Sequence, residues 1–163
     1  MAKASPVPRF VRMANVLTTT LLRAGFKLKG FGTPMYLLTV RGRKSGQPRT
    51  TPIAVVERDG KRYLFTPYGA VDWVRNLRAA GEASLTRARH TEVVRALELP
   101  SDEAGPVLKA LIETGNPISG YFGVAPDASR AEFERAAISH PVFLLQSASA
   151  PVSEAARQAQ PMR

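Results

Sequence analysis

Leu37-Leu38-Thr39-Val40-Arg41-Gly42-Arg43-Lys44-Ser45-Gly46-Gln47-Pro48-Arg49-Thr50-Thr51-Pro52-Ile53 reads as a strand, a basic turn and a second strand. Met35 to Val40 is mostly apolar, as a strand buried on both faces would be. The turn from Arg41 to Arg49 holds four cations, one serine and two glycines. Glycine lets the backbone come close to a ligand with its N–H groups free, and Arg and Lys add charge-assisted bonds to an anion. The turn therefore reads as a cradle for phosphate or carboxylate, or equally as a solvated hairpin tip. Thr50 to Glu57 continues as a strand. Pro52 inside it cannot donate to a ladder, which predicts an edge, a bulge or a gap in pairing beside a ligand ring. Asp59-Gly60 is a strong hairpin signal, and Lys61 to Pro67 returns as a third strand. Thr66-Pro67-Tyr68-Gly69 closes it in a turn.

The same run resembles the signature of the deazaflavin-dependent nitroreductase family, with Asp59-Gly60 and Trp73-Val74-Arg75-Asn76-Leu77 following in the family's order. The similarity extends over roughly residues 9 to 146 and is specific over 37 to 77. It implies a split β-barrel related to flavin-binding proteins. It also implies coenzyme F-420, a 5-deazaflavin with a phosphate and an acidic oligoglutamate tail; FMN is the alternative cofactor. By this resemblance Arg43, Lys44 and Ser45 hold the phosphate and tail. Arg49, Thr50, Thr51, Pro52, Ile53 and Ala54 run under the cofactor. Thr66, Pro67, Tyr68 and Gly69 border the ring or its linker, and Asp72, Trp73, Val74, Arg75 and Asn76 form the step into a helix beside it. For Trp73 a core anchor, and for Asn76 a turn contact, remain open. The chain departs from the family pattern in having only Ala70-Val71-Asp72 between Gly69 and Trp73, where the nitroreductase carries a longer loop. Tyr121, next to Phe122, stands where that protein has several tyrosines. It is the candidate catalytic residue, a proton donor by virtue of a phenol pKa near 10, or else a packing aromatic.

The chain has 163 residues, enough for one domain with its own core, and 44% are hydrophobic. Its 23 Lys and Arg against 13 Asp and Glu give +10, which attracts anions over about 8–10 Å at physiological salt. Nucleic acid, anionic lipid and an acidic cofactor all satisfy that charge, but no helix-turn-helix or aromatic stacking motif supports the first. There is no cysteine, so thiolate chemistry is excluded. His90 and His140 lack metal-ligand spacing. No apolar run spans a membrane and no signal peptide is recognisable, so a cytoplasmic location is expected.

Residues 1–8 read as a disordered lead-in and residues from Ser147 as a flexible tail. A helix is expected over 9–28, with Phe10, Met13, Ala14, Leu17, Leu21, Ala24 and Leu28 on one stripe. The expected seat for that stripe is the protein's own barrel; a peripheral membrane contact is the alternative. Asp72 is expected to cap a short helix ending at Gly81, with a strand pair over 83–86 and 91–99 after it. A helix from Ser101, a loop over 115–128, a capping box at Ser129–Glu132 and a closing strand over 141–146 complete an α+β fold.

With no nucleophile–base pair, metal cluster or P-loop in the sequence, a bound cofactor must carry the hard chemistry of any reaction. The resulting expectation is an F-420-dependent oxidoreductase. It would pass a hydride to a flat conjugated acceptor such as a quinone, activated alkene or nitro compound. The competing reading is a non-catalytic protein that stores a flavin-like or lipid ligand.

Overall fold

Asp59-Gly60 does what its side chains dictate. Both residues have positive φ (51° and 69°), and they join strand β4 (Val56–Arg58) to β5 (Lys61–Phe65) in a tight hairpin. The protein is described here by a computed structural model covering residues 9–148 except 31 and 116. The expected lead-in 1–8 and the tail beyond Ala148 lie outside the described residues. The remaining strands are β1 (Lys29–Gly30), β2 (Thr33–Arg41), β3 (Pro48–Ala54), β6 (Glu82–Arg87), β7 (His90–Glu98) and β8 (Val142–Ser147). Every pairing is antiparallel, in the order β1-β2-β6-β7-β8-β5-β4, with β3 on the other side of β2.

Only Val55 separates β3, which pairs with β2, from β4, which pairs with β5. The chain thus crosses from one end of the sheet to the other, and the sheet curls into a split barrel. The expected single strand over 50–57 is therefore two strands joined at a bend. Leu38, Val40, Ile53, Val55, Leu64 and Phe143 fill the interior. Strand β5 shows the period-two logic directly. Leu64 points into the barrel, while Tyr63 and Phe65 point outward to a second core with Leu108, Ile112 and Phe133. That second core lies under α3 (Ser101–Glu113) and α4 (Arg130–Ser139). Helix α4 starts in the expected capping box: Ser129 N–H donates to Glu132 Oε2 at 2.8 Å, and Glu132 N–H returns to Ser129 Oγ at 3.4 Å.

Helix α2 (Asp72–Ala80) lays Val74 and Leu77, both fully buried, onto the barrel core. It ends at Gly81 in the left-handed conformation, as its sequence demands. Its start differs from the expectation. Val71 occupies the cap position, and Asp72 is the first helical residue with no capping bond, because its carboxylate is turned toward Arg43 and Arg75. The expected loop over 115–128 contains a 3-10 helix at Pro117–Phe122, anchored by Phe122 against Phe65 and the His140 ring.

The largest correction concerns α1. It runs Arg9–Arg23 rather than to residue 28, stopping at Gly25 (φ 95°), where Phe26 N–H bonds back to Leu21 C=O at 3.1 Å. The apolar stripe does not face the barrel. Phe10, Met13 and Leu17 are 68%, 78% and 64% exposed, while Leu22, which falls off the stripe, is the residue buried. The inward face instead carries Val11 and Asn15, for a reason the site supplies.

Candidate functional site

The basic turn is built by two glycines with different tasks. Gly42 sits where a β-carbon would meet Ser45 Oγ at 2.8 Å and Gln47 C=O at 3.1 Å, so any side chain would have to displace Ser45 and press on the turn's backbone. Gly46 supplies a positive φ of 68°. Two backbone bonds of 2.8 Å, Gly42 N–H to Gln47 C=O and Gly46 N–H to Gly42 C=O, close the loop. The turn is then fastened to α2. Asn76, 94% removed from solvent, accepts with Oδ1 from Arg43 N–H at 3.2 Å and from Arg43 Nη1 at 2.9 Å. Arg43 Nη2 also reaches Asp72 Oδ1 at 3.3 Å.

Arg43 is thus already committed to the protein. Lys44 and Arg49 stand exposed at the rim of an open cleft of about 1120 Å³ between the turn, β3, α2 and α1. That volume accommodates a flat tricyclic ring together with a second small molecule. One wall is β3, which pairs only with β2, so its other edge is open at Pro52, Ile53 and Ala54. The expected edge at Pro52 is therefore present. The opposite wall is Trp73, whose indole lies 6.1 Å from the Phe143 ring and packs on the barrel core while lining the cleft. A second hollow of about 850 Å³ lies across the turn, so Arg43, Lys44 and Ser45 form a ridge between the two.

Of the residues singled out in the sequence, the cleft gathers Arg43, Lys44, Ser45 and Arg49 to Ala54 on one side, and Thr66 to Tyr68, Asp72, Trp73, Arg75 and Asn76 on the other. Three lie off it. Gly69 is buried behind the wall, and Val74 points into the barrel core. Tyr121 is half exposed outside the cleft, with its ring edge-on to Tyr68 at 5.5 Å. Tyr68 is the phenol that lines the cleft, and burial followed by the neighbouring Tyr121 raises its pKa, keeping it protonated.

The floor of this region is fixed by Thr66, buried to 98%. Its Oγ1 accepts from Tyr68 N–H at 3.2 Å, and its carbonyl lies 3.2 Å from His140 Nδ1. Burial lowers the His140 pKa below its ordinary 6.5, and backbone hydrogen bonds oppose the shift only in part. The neutral imidazole is then the folded state's form, with Nδ1–H donating to Thr66. Because the unfolded chain takes up that proton first, stability is full above about pH 6.5 and falls as pH drops toward the folded value. Chemical denaturation midpoints measured down to pH 5 are expected to decline, and His140→Gln to flatten that part of the profile.

Sequence reasoning missed Val11, Arg12 and Asn15 of α1, which line the cleft. The signal was misleading, because a helix face looking into a ligand-sized space has no reason to be apolar.

Among the described residues the cleft combines a cationic rim, an open strand edge and an aromatic wall. In comparison with protein families, the F420H(2)-dependent quinone reductase family matches residues 11–121. The chain belongs to this family, and it is therefore an oxidoreductase that passes hydride from reduced deazaflavin to small acceptors such as quinones. Among solved structures, an F-420-H2-dependent reductase (FDR-A) is 25% identical, covering 69% of this chain and 93% of its own, with a TM-score of 0.49. A domain-swapped dimer is 24% identical over 84% of this chain and 97% of its own, with a TM-score of 0.53, and shares the fold. Comparison with curated proteins gives no match.

Proposed function

We propose that the cleft binds coenzyme F-420 and that the protein reduces a quinone-type acceptor with it. The observation that carries this reading is an open β3 edge and Trp73 lining one cleft, with the Lys44 and Arg49 side chains at its rim and bonded to no other described residue. A flat ring fits between Pro52–Ile53 and the indole, while a phosphate and carboxylate tail require the cationic rim. Lys44 and Arg49 hold the phosphate, and the tail runs over the ridge toward the second hollow. Asn76 and Asp72 keep the ridge in place through Arg43 rather than touching the ligand. When bound, reduced F-420 supplies a hydride from carbon. A quinone that takes this hydride also takes one proton and leaves as the hydroquinone.

Water reaches this open cleft and delivers that proton, while the Tyr68 hydroxyl orients the acceptor's carbonyl oxygen by donating to it. Tyr121 acts one step out, as a positioning residue that holds the Tyr68 ring by its edge. Tyr68→Phe is expected to lower kcat/KM for the acceptor by about tenfold, the worth of one hydrogen bond, with most of the change in KM. Tyr121→Phe changes it by less than about threefold. Reduction rates with both variants at saturating F-420-H2 check this.

A long-chain quinone is dissolved in lipid, and a protein in the cytoplasm would meet it at a membrane surface. The direct test is to follow oxidation of reduced F-420 with quinones, then with activated alkenes and nitro compounds. Turnover greatest with quinones is expected. A protein that binds the cofactor yet turns over none of the three classes would contradict the reading.

A further inference from the structure

The charge of this chain is divided unevenly. Residues 1–56 hold ten Lys and Arg and no acid, whereas residues 57–163 hold thirteen of each, so the whole +10 belongs to the first third. Helix α1 lies in that third with no acidic residue on it. Its outward stripe, Phe10, Met13 and Leu17, is exposed, and Val16 and Phe26 beside it are 69% and 58% exposed. Arg9, Arg12 and Arg23 fall along one border of the stripe, and Lys27 and Lys29 extend the positive field past the helix end. The opposite face of the same helix, at Val11 and Asn15, lines the cleft, with Arg12 at its edge.

We infer that α1 seats on an anionic lipid surface, with Phe10, Met13 and Leu17 in the acyl boundary, and so brings the cleft to an acceptor dissolved in the bilayer. An apolar stripe on a helix that carries arginines and no acidic residue is the pattern of a helix lying in the plane of a membrane interface. The same charge disfavours a second copy as the occupant, since two such helices face to face would bring like charges together. The acceptor route rests on the quinone reading above. The lipid contact itself does not.

The test uses the full chain and vesicles of phosphatidylcholine alone or mixed in equal parts with phosphatidylglycerol. The wild type is expected to sediment with the mixed vesicles, to be released by salt, and to ignore phosphatidylcholine. Combining Phe10→Ser, Met13→Ser and Leu17→Ser should reduce vesicle partitioning by at least about tenfold. F-420 affinity and the far-ultraviolet circular dichroism of this variant should be unchanged. Its rate with a short-chain soluble quinone should stay within about twofold of wild type, while the rate with a long-chain quinone in vesicles falls by about tenfold or more. No vesicle binding by the wild type, equal binding by the variant, or a wild-type dimer that the substitutions dissociate would overturn the inference. Because sedimentation needs neither cofactor nor acceptor, its outcome is independent of whether the protein reduces quinones.

Discussion

Replacing Lys44 and Arg49 together by alanine is expected to weaken F-420 binding by about 3 kcal/mol, roughly a hundredfold in affinity. On the proposed reading each would supply a charge-assisted bond to the phosphate and tail, taken at about 1.5 kcal/mol because both side chains are open to solvent in the free protein. Neither makes a bond to another described residue, so the double variant should unfold at the same denaturant concentration as the wild type. The loss should shrink at high salt, where the wild-type affinity has already fallen. Titration of both proteins with F-420 at two salt concentrations measures this. Unchanged affinity would make the turn a solvated hairpin tip and move the anion site elsewhere.

Asn76→Leu should have the largest effect on stability, about 2–3 kcal/mol. Leucine matches asparagine in size but cannot accept, so it leaves the Arg43 N–H and guanidinium facing an apolar group at a buried position. The basic turn loses its fastening to α2, and F-420 affinity should fall with it even if Asn76 touches no part of the ligand, as proposed above. Asn76→Asp keeps the accepting oxygen opposite a cation and should retain most of both quantities. The comparison separates a structural clamp from a ligand contact. A direct contact would respond to Asp as strongly as to Leu. Denaturant midpoints and F-420 titrations on the two variants decide it.

These two predictions also show where the sequence was legible. The run from Leu37 to Ile53, the Asp59-Gly60 hairpin and the Ser129–Glu132 capping box each specify their local geometry through residues within a few positions, so strands, turns and caps follow directly. The cleft was legible because its two sides come from one continuous region, 43–76, folded back by that hairpin. What failed depended on contacts distant in sequence. Arg43 was read as a ligand-holding cation, and its bonds to Asp72 and Asn76, about thirty residues away, left no mark in the local sequence. Asp72 was drawn from its capping role by the same arginine. The stripe on α1 was read as a core face because periodicity reports that a face is apolar and not what it meets. In this fold the face turned inward meets a cleft, and the apolar one is turned out.

The central claim is that the cleft between β3 and Trp73 recognises a deazaflavin through its anionic tail. Titrating the protein with F-420 and, on the same preparation, with FMN, by fluorescence quenching tests it most directly. The account predicts saturable F-420 binding that weakens with salt, with FMN weaker by at least about tenfold because it brings a phosphate but no acidic tail to the ridge. FMN binding as tightly as F-420, or no binding of F-420 at low salt, would contradict it.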